Sequence, residues 1–244
     1  MAFFASNALQ KRVFDSVYGD PSRAQALSRP GVRRHYENRI LEIGIRGLKT
    51  ASMSCLDVGC GRGIFTSLLG NYFLKVAAVD RSCRAVQTAA MIEGNRNARF
   101  SVSDAGGLPF KDGMFDCVTA KDILHHLDEP GKALSEMERV LKSGGILISV
   151  EPNNRNWAGL AIGVLLKHER KAVFRSPGFL IRQMTGQGFS LLHYGFDGFF
   201  VPYGPLARMP AGMLGFLSRF EHYMGKMFPL GGGHFIACYQ KEGA

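Results

Sequence analysis

The residues able to do chemistry are concentrated in the first two thirds of the 244-residue chain. An apolar run beginning at Met53 leads into Cys55-Leu56-Asp57-Val58-Gly59-Cys60-Gly61-Arg62-Gly63, and helical sequence follows from about Ile64 to Phe73. Glycine lacks a Cβ and reaches positive φ, so a cofactor can lie against this backbone. The N–H groups opening the following helix favour a polar or anionic ligand group. Asp80 comes 19 residues after Gly61. An acid at that spacing suits a pair of ribose hydroxyls, and the same position also fits the approach to a helix N-cap at Ser82. Two features separate this stretch from the dinucleotide pattern G-x-G-x-x-G. The third glycine arrives one residue early, with Ile at 64, and Asp57 stands two residues before the first glycine. A carboxylate there repels a pyrophosphate and attracts an ammonium. The crevice suits a nucleoside that carries positive charge and no phosphate.

Such residues work only if a frame brings them to one edge. Short apolar strands at 53–58, 75–80, 98–102, 115–120 and 145–151 alternate with helical stretches at 63–73, 82–93 and 131–142. That alternation predicts an α/β fold with a parallel sheet covered on both faces. Ligands of such sheets bind beyond the carboxyl ends of the strands, where the polar residues fall. A helix and turn from Phe179 to Gly188 precede a strand at 189–194, and a last strand spans 234–240. Residues 1–50 read as helices broken at Gly19-Asp20-Pro21-Ser22 and at Pro30-Gly31. Phe14, Tyr18 and Tyr36 there suit either a lid or core packing. Residues 195–232 form an insertion before the last strand. In it Leu206, Met209, Met213, Leu217, Phe220, Met224 and Met227 recur at three- and four-residue steps despite Pro210 and Gly212. That helix fits its own core or, with Trp157 to Leu166, an apolar acceptor surface rimmed by Arg170, Lys171, Arg175, Arg208 and Arg219.

The glycine-rich stretch resembles motif I of the class I S-adenosyl-L-methionine (SAM)-dependent methyltransferases, specifically the small-molecule and quinone-biosynthesis-like group. SAM offers an ammonium, a sulfonium and no phosphate. The resemblance extends over residues 53–153. Asp104-Ala105 matches the family's acid and small residue beside adenine, and Leu108-Pro109-Phe110 matches its apolar turn. Lys121-Asp122-Ile123-Leu124-His125-His126 matches the segment that passes under the sulfonium and opens onto the acceptor. Lys142-Ser143-Gly144-Gly145 matches the turn into the fifth strand, with glycine read as a helix C-cap. The resemblance implies a seven-stranded, Rossmann-like, mostly parallel sheet with one antiparallel strand and helices on both faces. It also implies an N-terminal helical lid (residues 1–50) on a SAM-binding domain (51–244).

From this follow the expected cofactor, SAM with S-adenosyl-L-homocysteine (SAH) as product, and the expected site. Asp57, Gly59, Cys60, Gly61, Gly63, Asp80, Arg81, Asp104, Ala105 and Lys121 are the cofactor-binding candidates. Arg81 suits stacking near the adenosine or plain solvation. Lys121 departs from the family, since a cation near a sulfonium is repelled, and pairing with Asp122 would remove the conflict. His126, and after it His125, are the candidate general bases, being the only groups of near-neutral pKa on that segment. Glu151, in Glu151-Pro152-Asn153 facing the acceptor side, is held in reserve. Each of these could equally be structural.

Composition narrows the alternatives. The net charge of +10 divides into +5 for residues 1–50, −1 for 51–151 and +6 for 152–244, so the basic excess lies in the flanks. Basic flanks suit anionic partners or no partner at all. Five cysteines without a C-x-x-C pair indicate neither a disulfide framework nor a zinc knuckle, and no metal is expected. The opening Met-Ala-Phe-Phe-Ala-Ser-Asn lacks the basic-then-apolar pattern of a signal peptide. The longest apolar run is about half a membrane span. A cytoplasmic protein is expected, with peripheral membrane contact as a further expectation. The expected activity is methyl transfer to a small acceptor, hydrophobic or lipid-like or anionic. An RNA methyltransferase is the first rival, disfavoured because no aromatic stacking platforms are interleaved with basic residues. A non-catalytic assembly partner is the second. The sequence leaves the oligomeric state and the methylated atom open.

Overall fold

The computed structural model describes residues 40–92, 97–127, 129–153, 176–197 and 232–243, together with positions 210, 213, 216 and 220. The strands are β1 (Ser54–Val58), β2 (Lys75–Asp80), β3 (Ala98–Val102), β4 (Phe115–Lys121), β5 (Leu141–Pro152), β6 (Phe189–Asp197) and β7 (His234–Lys241). They form one seven-stranded sheet in the order β3-β2-β1-β4-β5-β7-β6. The pairings from β3 through to β5 are parallel, and β7 runs antiparallel to both β5 and β6. The helices are α1 (Ile64–Leu69), α2 (Cys83–Ala90), α3 (Pro130–Val140) and α4 (Pro177–Thr185). Residues 40–44 are helical as well.

Two cores explain why the strand sequences are apolar almost throughout. Successive side chains of a strand point to opposite faces. On β7, Phe235, Ala237 and Tyr239 join Leu56, Val118, Leu147 and the α3 residues Leu134, Met137 and Val140 on one face. Ile236 and Cys238 join Cys55, Cys117, Ile148 and the α1 residues Phe65, Leu68 and Leu69 on the other. Ile40 and Leu41 are buried in this second core, so the end of the N-terminal segment packs against the sheet. Residues 1–39, which carry the expected lid, lie outside the described residues. So do Trp157 to Leu166, the five rim cations, and the insertion stripe apart from Met213 and Phe220. All five cysteines are free.

Several boundaries differ from the sequence reading. Helix α1 stops at Leu69 rather than Phe73, because Gly70 to Phe73 fold back in tight turns onto Leu68 and Leu69 carbonyls. Helix α3 ends at Val140, and Leu141 already pairs with Phe115 of β4. Gly144 (φ 70°) therefore lies in a bulge within β5, before Ile146 pairs with Cys117, and not at a helix C-cap. A Cβ on Gly145 would stand 2.8 Å from the Lys142 carbonyl, which is why the bulge needs glycine there too. Strand β6 continues to Asp197, three residues into the segment read as insertion.

Candidate active site

The carboxyl ends of β1, β2, β3 and β4 bring the predicted cofactor residues together along one edge. Gly59, Gly61 and Gly63 all have positive φ (75°, 52° and 72°), so the loop doubles back after β1. Gly59 and Cys60 N–H donate to the Val79 carbonyl at 2.8 and 3.0 Å, which pins the loop to β2. A Cβ on Gly59 would lie 2.5 Å from Ile123 Cδ1, so this glycine is required by close approach of the segment after β4 as well as by its φ. Cys60 is buried in the loop.

Asp80 closes the arrangement. Its Oδ2 accepts from Gly61 N–H at 2.9 Å and its Oδ1 from Ser82 N–H at 2.8 Å. Ser82 caps α2, accepting from Ala85 N–H at 3.2 Å. The carboxylate ties the glycine loop to the head of α2. Arg81, beside it, is half-buried.

Asp57 is placed differently from the open crevice wall that the sequence suggested. It is 1% exposed, below the loop. Thr66 Oγ1 donates to its Oδ2 at 2.6 Å and Thr119 Oγ1 to its Oδ1 at 3.0 Å. Burial pushes its carboxyl up to about 6, against the two threonine hydroxyls and Lys121, which favour the charged form. Its influence on a ligand above the loop is electrostatic.

After β3, Asp104 is exposed, with Oδ1 accepting from Gly106 N–H at 2.8 Å, and Ala105 is buried beside it. The following turn is held to α3 by a cross-brace. Leu108 N–H donates to Glu136 at 2.7 Å, while Arg139 donates to the Leu108 and Phe110 carbonyls, to Glu136 and to Asp112. Helix α3 thereby braces the turn that follows Asp104 and Ala105.

Strand β4 ends at Lys121, whose ammonium pairs with Asp122, which removes the charge conflict. Asp122 is the one non-glycine with positive φ (54°) among the described residues, in a region that costs L-residues about 1–2 kcal/mol. Burial alone would raise its carboxyl, but Lys121 with His234 and His125 holds it well below the usual carboxylate range. His234, at the start of β7, brings Nε2 to 3.7 Å from Asp122 Oδ1, and burial lowers its pKa to about 4. A single 3-10 turn, Leu124–His126, carries the two candidate bases. His125 is 2% exposed, whereas His126 is half-buried, and their rings stack with centroids 3.9 Å apart.

Glu151 is not a reserve base. It is 1% exposed and accepts from Ile123, Leu124 and His125 N–H and from His125 Nδ1, so no free lone pair faces an acceptor. Asn153 is also buried, bonding the Gly232 and Gly233 carbonyls that lead into β7. Thr66, Thr119 and the Glu151 contacts carry no sequence signal, because their partners lie 9 to 62 positions away.

Comparison with known proteins agrees with this geometry. Residues 56–149 match the model of a methyltransferase domain. The chain is 30% identical over 141 residues to a 2-methyl-6-phytyl-1,4-hydroquinone methyltransferase of Synechocystis sp., covering 57% of this chain and 44% of that protein. Residues 56–149 thus carry a methyltransferase domain, and the chain is similar to class I SAM-dependent methyltransferases. It is also 30% identical over 151 residues to a ubiquinone/menaquinone biosynthesis C-methyltransferase of Hahella chejuensis, covering 57% of this chain and 58% of that one. The chain spans about half the length of the curated relatives it matches. Among solved structures, a SAM-dependent methyltransferase from Aquifex aeolicus superposes with a TM-score of 0.62 at 19% identity, over 91% of this chain and 98% of that one. The N-methyltransferase NodS from Bradyrhizobium japonicum, solved with SAH, superposes at 0.64 with 13% identity, over 95% and 98%. At these identities both show the methyltransferase fold alone.

The donor set fits the family's cofactor. Asp57 lies beneath the glycine loop and Asp80 beside it, so their field repels a phosphate there and attracts a sulfonium and an ammonium. Among the described residues no cluster could hold a metal ion.

Proposed function

We propose that this chain binds SAM over the glycine loop and transfers its methyl group to a small, hydrophobic or lipid-like acceptor. The observation that carries the proposal is the pair of carboxylates, Asp57 and Asp80, below and beside three left-handed glycines. In this reading Gly59, Cys60, Gly61 and Gly63 seat the amino-acid end of SAM. Asp80 accepts from the ribose hydroxyls with Arg81 nearby, and Asp104 with Ala105 meets the adenine. Lys121, neutralised by Asp122, borders the sulfonium.

SAM supplies a methyl group already electrophilic at sulfur, so the protein's task is alignment. A lid formed by the N-terminal segment before Ile40 would exclude water above the crevice. As the acceptor's electron pair bonds the methyl carbon and the carbon–sulfur bond breaks onto sulfur, His126 takes the acceptor's proton. His126 is favoured over His125 because His125 is buried with Nδ1 committed to Glu151.

Two observations support an apolar acceptor. Relatives at 30% identity are hydroquinone and quinone methyltransferases by name. Met213, Phe216 and Phe220 are helical, spaced by three and four residues, and exposed, as suits contact with a lipid surface beside basic flanks. No helix among the described residues is long and apolar enough to cross a membrane.

The test measures SAH formation from SAM with short-chain demethylated hydroquinones, simple phenols and total RNA as acceptors. Transfer to a hydroquinone or phenol is expected. SAM binding without turnover on any of them, or turnover on RNA alone, would reject the proposal.

A further inference from the structure

Glu151 has a role that neither its place in the sequence nor the comparisons assign. At the carboxyl end of β5, paired in register with Phe235 of β7, its carboxylate is buried and gathers four donors. Oε1 accepts from Ile123 N–H at 3.2 Å and Leu124 N–H at 2.8 Å. Oε2 accepts from His125 N–H at 3.2 Å and lies 2.5 Å from His125 Nδ1. Three successive N–H groups at the head of a one-turn helix have no partner inside it, and a buried N–H left unpaired is costly. One side chain from the neighbouring strand satisfies all three.

The same carboxylate decides the tautomer of His125. A group that accepts at Oε2 needs a proton on Nδ1, so the carboxylate holds His125 with Nδ1 as donor. The His126 ring stacks on that ring at 3.9 Å, tilted by 46°. Orientation is thus handed from Glu151 to His125 and from His125 to His126.

We propose that Glu151 is a positioning residue for methyl transfer: it fixes the turn and the His125 tautomer, and through the stacked pair it aims His126 at the acceptor. The aiming of His126 rests on the function proposed above, while the clamp and the tautomer stand apart from it.

Glu151→Gln separates the parts. Its carbonyl oxygen, left on the Ile123 and Leu124 N–H groups, puts the amide against His125. Nδ1 must then accept instead of donate, so the tautomer inverts. The opposite amide orientation sets NH2 against two backbone N–H groups and is the worse arrangement. Nitrogen-15 NMR of the histidine rings at pH 8 should find His125 protonated on Nδ1 in the wild type and on Nε2 in Glu151→Gln. SAH affinity by calorimetry should stay within about threefold, because no residue seating the cofactor is touched. With the best hydroquinone acceptor, kcat should fall about 10- to 100-fold at unchanged KM for SAM, the order expected for a displaced reacting group. Glu151→Ala should lose more activity than Glu151→Gln.

A wild-type His125 protonated on Nε2 would overturn the clamp without any variant having to fold. A Glu151→Gln protein that keeps the wild-type tautomer would overturn it as well. Wild-type kcat in Glu151→Gln would overturn the positioning role. If the wild type forms no SAH with any acceptor, the proposed function fails, and the NMR arm still decides the clamp.

Discussion

Asp57 carries a cost that a single substitution can expose. Its carboxyl is 1% exposed and is pushed from an ordinary 3.8 to about 6, chiefly by burial. A carboxyl whose pKa rises on folding is held preferentially in its neutral form. Below about pH 4 it is protonated in both states and stability is unaffected. Between pH 4 and 6 the unfolded chain ionises first, and stability is lost. Above pH 6 the full penalty applies, about two pKa units at 1.36 kcal/mol each, or about 3 kcal/mol. Asp57→Asn removes the charge and keeps the shape. One of the two threonine hydroxyls, Thr66 or Thr119, must turn to accept from the new amide, which returns about 1 kcal/mol of the gain. The variant should match the wild type or fall slightly below it at pH 4, and exceed it by about 2 kcal/mol at pH 8. For a chain of this size that is a rise in Tm of about 4–8 °C. Paired thermal melts from pH 4 to 8 check the expectation, and calorimetry on the same variant should find SAM bound at least tenfold more weakly. The difference between the two proteins is the quantity to follow, because His234 titrates with the opposite sign in the same window. Equal pH dependence in the two proteins, or a variant less stable at pH 8, would refute the reasoning. An unchanged SAM affinity would detach Asp57 from the cofactor.

Three further outcomes are expected. Gly59→Ala meets Ile123 and a φ of 75°, so it should lose about 2–3 kcal/mol in chemical denaturation, with part recovered by adding Ile123→Ala. His125→Ala leaves Glu151 short of a donor in a buried turn and should cost about 2–3 kcal/mol, whereas His126→Ala, half-buried, should cost under 1 kcal/mol while abolishing most methyl transfer. His234, lowered by burial from 6.5 to about 4, stays neutral in the fold, so its contribution is complete above pH 6.5 and is lost as pH falls toward 4; denaturation of His234→Gln should lack about 3 kcal/mol of that acid sensitivity.

How much of this could be read in the sequence depends on how local each cause is. The central parallel strands β1, β4 and β5 were legible because they are apolar on both faces and bounded by glycine or polar residues, and the glycine loop was legible because it is contiguous. Asp80 was legible by spacing, although its bonds to Gly61 and Ser82 N–H were not. Asp57 looked like a crevice wall because nothing local shows that Thr119, 62 positions on, draws it inward. Lys142-Ser143-Gly144-Gly145 looked like a helix cap because glycine serves caps and bulges alike. Only the pairing of Leu141 with Phe115 decides between them. Glu151 looked like a spare base for the same reason: its four donors lie 26 to 28 residues earlier.

The central claim is electrostatic, and calorimetry on the purified chain addresses it directly. SAM and SAH should bind one per chain with micromolar affinity, while NAD and ATP, whose phosphates would lie above the buried Asp57 and beside Asp80, should give no heat at millimolar concentration. Silence with SAM and SAH, or tighter binding of NAD, would contradict the account.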